Sequence, residues 1–250
     1  MSRAGWIRVS VVAAALATVQ ALCWAGVIAN FTMIPPSQMV TALFGILASG
    51  RMTAAILRTL RNVGIAILSS VLVGFVLGAV FHALPRARRT VEPLLASYYA
   101  IPIYAFYPLF IVLFGLGDVP QVIIGFLLAV VAMIVSSLNG FDRIPRVLLQ
   151  TARIYHMRRV RTALHILMPC AAPYMFTGVK LAVAYSFIGV IGAEFIMSGS
   201  GMGYEIAFAY NNFDNRIMYP LILLVLVLVT MINMLLHSWE TVLFERRRRR

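Results

Sequence analysis

Six blocks of almost uninterrupted apolar residues constrain this chain more than any other feature. They fall at residues 7–28, 63–81, 94–116, 122–138, 176–196 and 220–236, and each approaches the roughly 20 residues a helix needs to cross a bilayer. Barrel strands would instead read as short alternating segments. Composition agrees, with 62% hydrophobic and only 12% charged residues, where a soluble domain carries about a quarter charged. The expected fold class is therefore all-α, a polytopic transmembrane helical bundle of six spans forming one domain over residues 1–250. Pro102 and Pro108 interrupt the third block; membrane helices tolerate such breaks where neighbours satisfy the freed backbone groups. The first block has basic flanks at Arg3 and Arg8, but it is longer than a secretory signal core and reads as a retained span.

The net charge of +13 invites a nucleic-acid partner, and its distribution argues against one. With six alternating spans and both termini in the cytoplasm, the inner segments hold Arg3, Arg8, Arg86, Arg88, Arg89, Arg143, Arg146, Arg153, Arg158, Arg159, Arg161 and Arg246 to Arg250. The outer segments hold Arg51, Arg58, Arg61 and Arg216. Basic loops resist translocation, so this asymmetry orients the chain in a bacterial inner membrane. The terminal arginine run reads as an anchor to the anionic inner leaflet.

Several chemistries find no residues to carry them. The single lysine, Lys180, sits in Gly178-Val179-Lys180-Leu181 without a following hydroxyl, so no phosphate-binding loop is present. His82, His156, His165 and His237 are scattered and form no ligand spacing. Cys23 and Cys170 lie far apart in or beside apolar segments and read as buried thiols. No nucleophile elbow occurs. The sequence thus calls for no metal, no cofactor and no enzymatic activity of its own. Two ionisable residues stand out inside the spans, where lipid makes them costly. Lys180 is expected to reach the inner headgroups with its long stem. Glu194 has two readings, a hydrogen bond to a neighbouring helix or a place on a polar pathway.

The longest inner connection is the loop at 139–168, and long patterned loops are usually functional. Residues 146–159 read as a helix in which Leu148, Ala152 and Tyr155 form one apolar stripe. Such a helix lies on lipid or docks in a partner's groove, and spacing alone leaves these equal. The loop resembles the signature of binding-protein-dependent importer permeases of the ATP-binding cassette class: Glu-Ala-Ala, three residues, Gly, nine residues, Ile, one residue, Leu-Pro. Here Gln150-Thr151-Ala152 is followed by His156, Ile166 and Met168-Pro169 at the same spacings. Gln150 stands where the signature has Glu. His156 stands where it has Gly, a substitution a left-handed turn would tolerate better for His than for most residues.

The resemblance extends over nearly the whole chain and is closest to the nitrate, sulfonate and taurine permease group. It is carried by the order and spacing of Ile34-Pro35-Pro36, Ser49-Gly50, Thr59-Leu60-Arg61, Glu92-Pro93-Leu94, Ala100-Ile101-Pro102, Tyr107-Pro108-Leu109, Phe114 to Gly117, Pro169 to Pro173, Thr177-Gly178, Ala193-Glu194 and Gly201 to Tyr204. It implies a type I importer permease fold and a second permease subunit, with a homodimer favoured. It also implies cytoplasmic ABC ATPase subunits that hydrolyse the ATP and a periplasmic substrate-binding protein. The coupling residues it implies are Gln150, Thr151, Ala152, Tyr155, His156, Ile166 and Pro169; Glu194 and Tyr204 are pathway candidates. The implied cargo is a small anion of the nitrate, sulfonate or taurine kind; related chains serve thiamine-precursor pyrimidines, riboflavin or aromatic carboxylates. An ATP-independent carrier would need coupling-ion ligands that are scarce here, and a membrane scaffold would not need the loop. Gly74-x-x-x-Gly78 is expected to mark a close helix approach, and residues 198–215 form a docking surface, an outer gate or a passive connector.

Overall fold

The computed structural model describes residues 3–29 and 31–248. Among these the elements are α1 (Arg3–Trp24), α2 (Pro36–Ser49), α3 (Thr53–Ala83), α4 (Pro85–Ser97), α5 (Tyr107–Phe114), α6 (Asp118–Asp142), α7 (Arg146–Ile154), α8 (Arg159–Thr162), α9 (Met168–Met197), α10 (Met202–Asn211) and α11 (Asn215–Arg248), with no strand. Among the described residues four helical stretches are long and apolar enough to cross a membrane: Thr53–Ala83, Asp118–Asp142, Val160–Met197 and Asn215–Thr241. The bent pair Pro85–Ala100 and Ile103–Phe114 makes up to a fifth. The expected first span falls on α1, whose described apolar stretch Ser10–Trp24 is shorter than a full crossing. That helix stops at Trp24 and not at residue 28, because Gly26 turns left-handed at φ 72° and Val27 N–H closes back on Leu22 O. The side chains of Arg3, Arg8 and the run Arg246 to Arg250 lie outside the described residues.

α6 is the centre of the bundle, packed between α3 and α9. Small residues set these crossings. A Cβ on Gly74 would meet Met133 Cβ at 2.7 Å, and one on Gly78 would meet Ser137 Cβ at 2.6 Å, so the Gly74–Gly78 pair does bring α3 against α6. On the other flank a Cβ on Gly189 would come within 2.5 Å of Gly125 Cα. Without a hydrophobic force between helices in lipid, close backbone approach and van der Waals packing hold such crossings.

The third block is broken, as its prolines suggested. Residues 98–100 and 103–106 are short 3-10 turns on either side of Pro102, and the two arms diverge by 88°. Proline disfavours helical backbone in the residue before it, and Ile101 accordingly is extended at φ −77°, ψ 124°. Two features depart from the expectation. α2 was not foreseen; it packs on α11 and α1. α3 begins ten residues before the apolar block, and its first turns carry Arg58, Thr59, Arg61 and Asn62.

Candidate functional site

Two polar assemblies stand at opposite ends of the bundle. At the first, the C-terminal end of α9 presents Glu194, which is completely buried. Thr59 of α3 lies with its hydroxyl 2.9 and 2.8 Å from the two carboxylate oxygens and accepts the Met202 N–H at 2.8 Å. The Gly203 N–H, in the first turn of α10, donates to Glu194 Oε2 at 2.9 Å. A carboxylate at a helix N-terminus gains from the unpaired N–H groups and the dipole there. Glycine is required to bring them this close. Gly201 has φ 105°, and a Cβ on it would overlap the carboxylate; one on Gly203 would strike Glu194 Cβ and the Ile191 carbonyl.

A second layer surrounds this one. Asp118, at the start of α6, accepts Arg58 Nε at 2.6 Å and Asn62 Nδ2 at 3.0 Å and pairs with Arg61. Asn62 also donates to Gln121 Oε1 at 2.9 Å, and Gln121 donates to Ser198 Oγ at 2.8 Å. Asn62, Thr59 and Gln121 are buried with their partners satisfied, which is the condition for placing polar groups in such an interior. Sequence reasoning singled out Glu194 but not this frame. Tyr204 is not brought to the carboxylate; its ring packs on Phe208 at 6.1 Å within α10. Lys180, expected to reach the inner headgroups, forms an ion pair with Glu240 of α11.

At the other end, α7 follows Asp142, which Arg88 grips through two bonds of 2.7 Å. α7 is shorter than expected, ending at Ile154 and not near 159. The reason is a complete left-handed cap. His156 takes φ 45°, its N–H bonds Arg153 O at 3.0 Å, and the Met157 N–H bonds Ala152 O at 2.9 Å. This is the geometry usually assigned to glycine, so a histidine there costs about 1 kcal/mol. The seven signature positions divide. Ala152 is buried, and Leu149 and Ile166 pack around Phe141, Ile144 and Ala171. Gln150, Thr151, Tyr155 and His156 are exposed. The inward stripe is thus Leu149 and Ala152, while Val147, Ile154 and Tyr155 point outward, each about two-thirds exposed or more. Pro169 sits in the first turn of α9, directly after the widened π turn Ala163–Leu167. A proline clashes with the carbonyl four residues before it in a regular helix, and the wider turn makes room for it.

Comparison with known proteins adds to this geometry. Residues 70–250 match the family described as binding-protein-dependent transport system inner membrane component. The chain is 25% identical over 180 residues to the nitrate import permease protein NrtB of Leptolyngbya laminosa, covering 72% of this chain and 63% of that one. It is 24% identical over 177 residues to the taurine transport system permease protein TauC of Escherichia coli (strain K12), covering 69% and 64%. It is 23% identical over 205 residues to the putative aliphatic sulfonates transport permease protein SsuC of Bacillus subtilis (strain 168), covering 82% and 74%. The matched stretch thus spans less than two thirds of the NrtB and TauC relatives. In structure, the fold matches a chain of the MetNI methionine ABC transporter in an inward-facing conformation, with a TM-score of 0.63 at 16% identity, covering 75% of this chain and 93% of that one.

Proposed function

Because this chain belongs to the family of binding-protein-dependent transport system inner membrane components, we propose that it forms the translocation pathway of an ATP-driven importer for a small oxyanion of the nitrate, sulfonate or taurine kind. The relatives named for nitrate, taurine and sulfonates support that cargo. Two copies of the chain enclose the pathway, two cytoplasmic ATPases supply the energy, and a periplasmic protein delivers the solute. Both termini and the 139–168 loop face the cytoplasm, as the arginine distribution favours. The observation that carries the reading is α7: a short helix with the signature spacing, packed on the bundle through Leu149 and with Ala152 buried, leaving Val147, Ile154 and Tyr155 free to enter a groove.

In this mechanism the ATPases close on ATP and draw the two α7 helices together. Because Leu149 packs α7 against Phe141 of α6 and Ala171 of α9, the motion passes into the spans as a rigid-body tilt. The Glu194 assembly joins α3, α9 and α10 into one body at the far end, so that end opens as a unit and does not fray. Coupling of this kind needs a two-state element biased by a remote ligand.

The test is co-purification of the cognate ATPase with wild type, Ile154→Asp and Ala152→Asp. Ile154→Asp places a charge in the docking face without disturbing the bundle, and we expect the ATPase to bind about 30-fold more weakly to a permease that elutes and melts like wild type. Ala152→Asp should lower the melting temperature of the permease itself. ATPase retention by Ile154→Asp at wild-type levels would remove α7 from the interface.

A further inference from the structure

Tyr98, Tyr99, Tyr104 and Tyr185 stand at the break in the third block beside Tyr107, whose hydroxyl donates to Met197 O at 3.3 Å, and the hydroxyls of the four are used in two ways. The Tyr98 hydroxyl donates to Leu127 O of α6 at 3.1 Å. The Tyr104 hydroxyl donates to Ile188 O of α9 at 2.6 Å and occupies the space that Gly192 leaves by having no side chain. These two pin the arms of the break to the bundle. Tyr99 and Tyr185 are different. Their rings stack at 5.5 Å and 28°, Tyr98 meets Tyr99 edge-on at 6.0 Å, and Tyr99 is 47% exposed. Among the described residues neither hydroxyl has a hydrogen-bond partner.

Tyr185 lies 12 residues from the Met197 end of α9, about 18 Å along the helix, well inside the bilayer. A phenol held there without a partner forfeits the hydrogen bonds it makes in water. Irregular backbone at this depth is tolerated only where it is buried in protein or lines a water-filled cavity. Both conditions are met if a polar passage runs along the break. Lys180, the one cation of α9, is already committed to Glu240, and Ser186 beside Tyr185 is fully buried, so the tyrosines are the accessible donors at this level.

Building on the importer reading above, we propose that Tyr99 and Tyr185 form a hydrogen-bonding rung of the pathway, each donating its phenol O–H to an oxygen of a small oxyanion in transit. The stack fixes the two rings, so neither hydroxyl must be ordered when the anion arrives. Neutral donors suit passage, which requires binding favourable enough to admit the ion and weak enough to release it.

The test combines uptake with a direct probe of the phenols. Purified protein carrying tyrosine labelled at Cζ is titrated with sodium nitrate and with sodium methanesulfonate, and the Tyr99 and Tyr185 resonances are assigned by their loss in Tyr99→Phe and Tyr185→Phe. These variants keep the stack and remove only the hydroxyl. We expect both resonances to shift with the oxyanions and not with sodium chloride. In the assembled importer we expect each variant to take up labelled nitrate or taurine about tenfold more slowly, with ATPase co-purification unchanged. Resonances indifferent to both oxyanions, or Phe variants that import like wild type, would overturn the rung and leave the rings facing lipid or the second subunit. If wild type imports neither anion while the resonances still shift, the cargo assignment fails and the rung stands.

Discussion

Replacing Gly189 with valine should leave almost no folded protein in detergent. Even a single Cβ at this position falls 2.5 Å from Gly125 Cα and 2.9 Å from Gly125 N. The obstacle is backbone, which no rotamer change can move aside, and both helices are fixed elsewhere, α6 by Gly74 and Gly78 of α3 and α9 by the Glu194 assembly. Overpacking a close-packed interior costs about 1–3 kcal/mol when side chains can yield; here α6 and α9 must separate along their whole crossing, so the upper end or beyond is expected. Gly64, with nothing within 4 Å of its Cβ position, is the control. Gly64→Val should purify and melt like wild type, because a helix interior in lipid accepts it. Size-exclusion profiles and thermal unfolding of both variants check this, and a well-folded Gly189→Val would mean that the α6–α9 crossing is looser than described.

The second large effect concerns Glu194. Glu194→Ala removes the acceptor for the Thr59 hydroxyl and the Gly203 N–H and leaves both buried. Each stranded donor costs about 1–3 kcal/mol, and the variant should be destabilised by about 2–5 kcal/mol in total, with the α9–α10 connection opening first. Glu194→Gln keeps one oxygen and the shape. Its amide oxygen accepts the Gly203 N–H, and its NH2 group can donate to Thr59, which then directs its own proton elsewhere. The loss should be under half that of alanine. Thermal melts rank the two variants, and protease cleavage within residues 198–201 reports opening of the connection. Equal stability of the alanine and glutamine variants would contradict the hydrogen-bonded frame and favour a role for Glu194 only as a charge.

The parts of this molecule legible in its sequence are those with a local cause. The long apolar blocks became helices, and Pro102 broke the third where it stands. Gly74 and Gly78 sit at a real crossing because their spacing alone puts them on one helix face. The left-handed turn at His156 followed from its register with the signature glycine. What was not legible depends on partners distant in sequence. Thr59 and Glu194 are separated by 135 positions, and Asp118 is joined to Arg58 across 60. The arginines near the start of α3 looked like exceptions to the charge asymmetry, and their number so near one another was the available sign that a carboxylate would be found to answer them. The direction of α7 failed for the same reason. Spacing groups Leu148 with Ala152 and Tyr155 as readily as it groups Leu149 with Ala152, and only the positions of Phe141, Ile144 and Ala171 decide between them.

The proposed transport is of a small oxyanion across the membrane at the expense of ATP. It is tested most directly by reconstituting wild-type permease with its cognate ATPase and binding protein in liposomes and measuring accumulation of labelled nitrate and labelled taurine. Accumulation of one of them against its gradient, dependent on both ATP and the binding protein, is the expected result. Equilibration without ATP would contradict the claim and identify a passive carrier, and no movement of any solute by an intact, ATP-hydrolysing complex would contradict it as well.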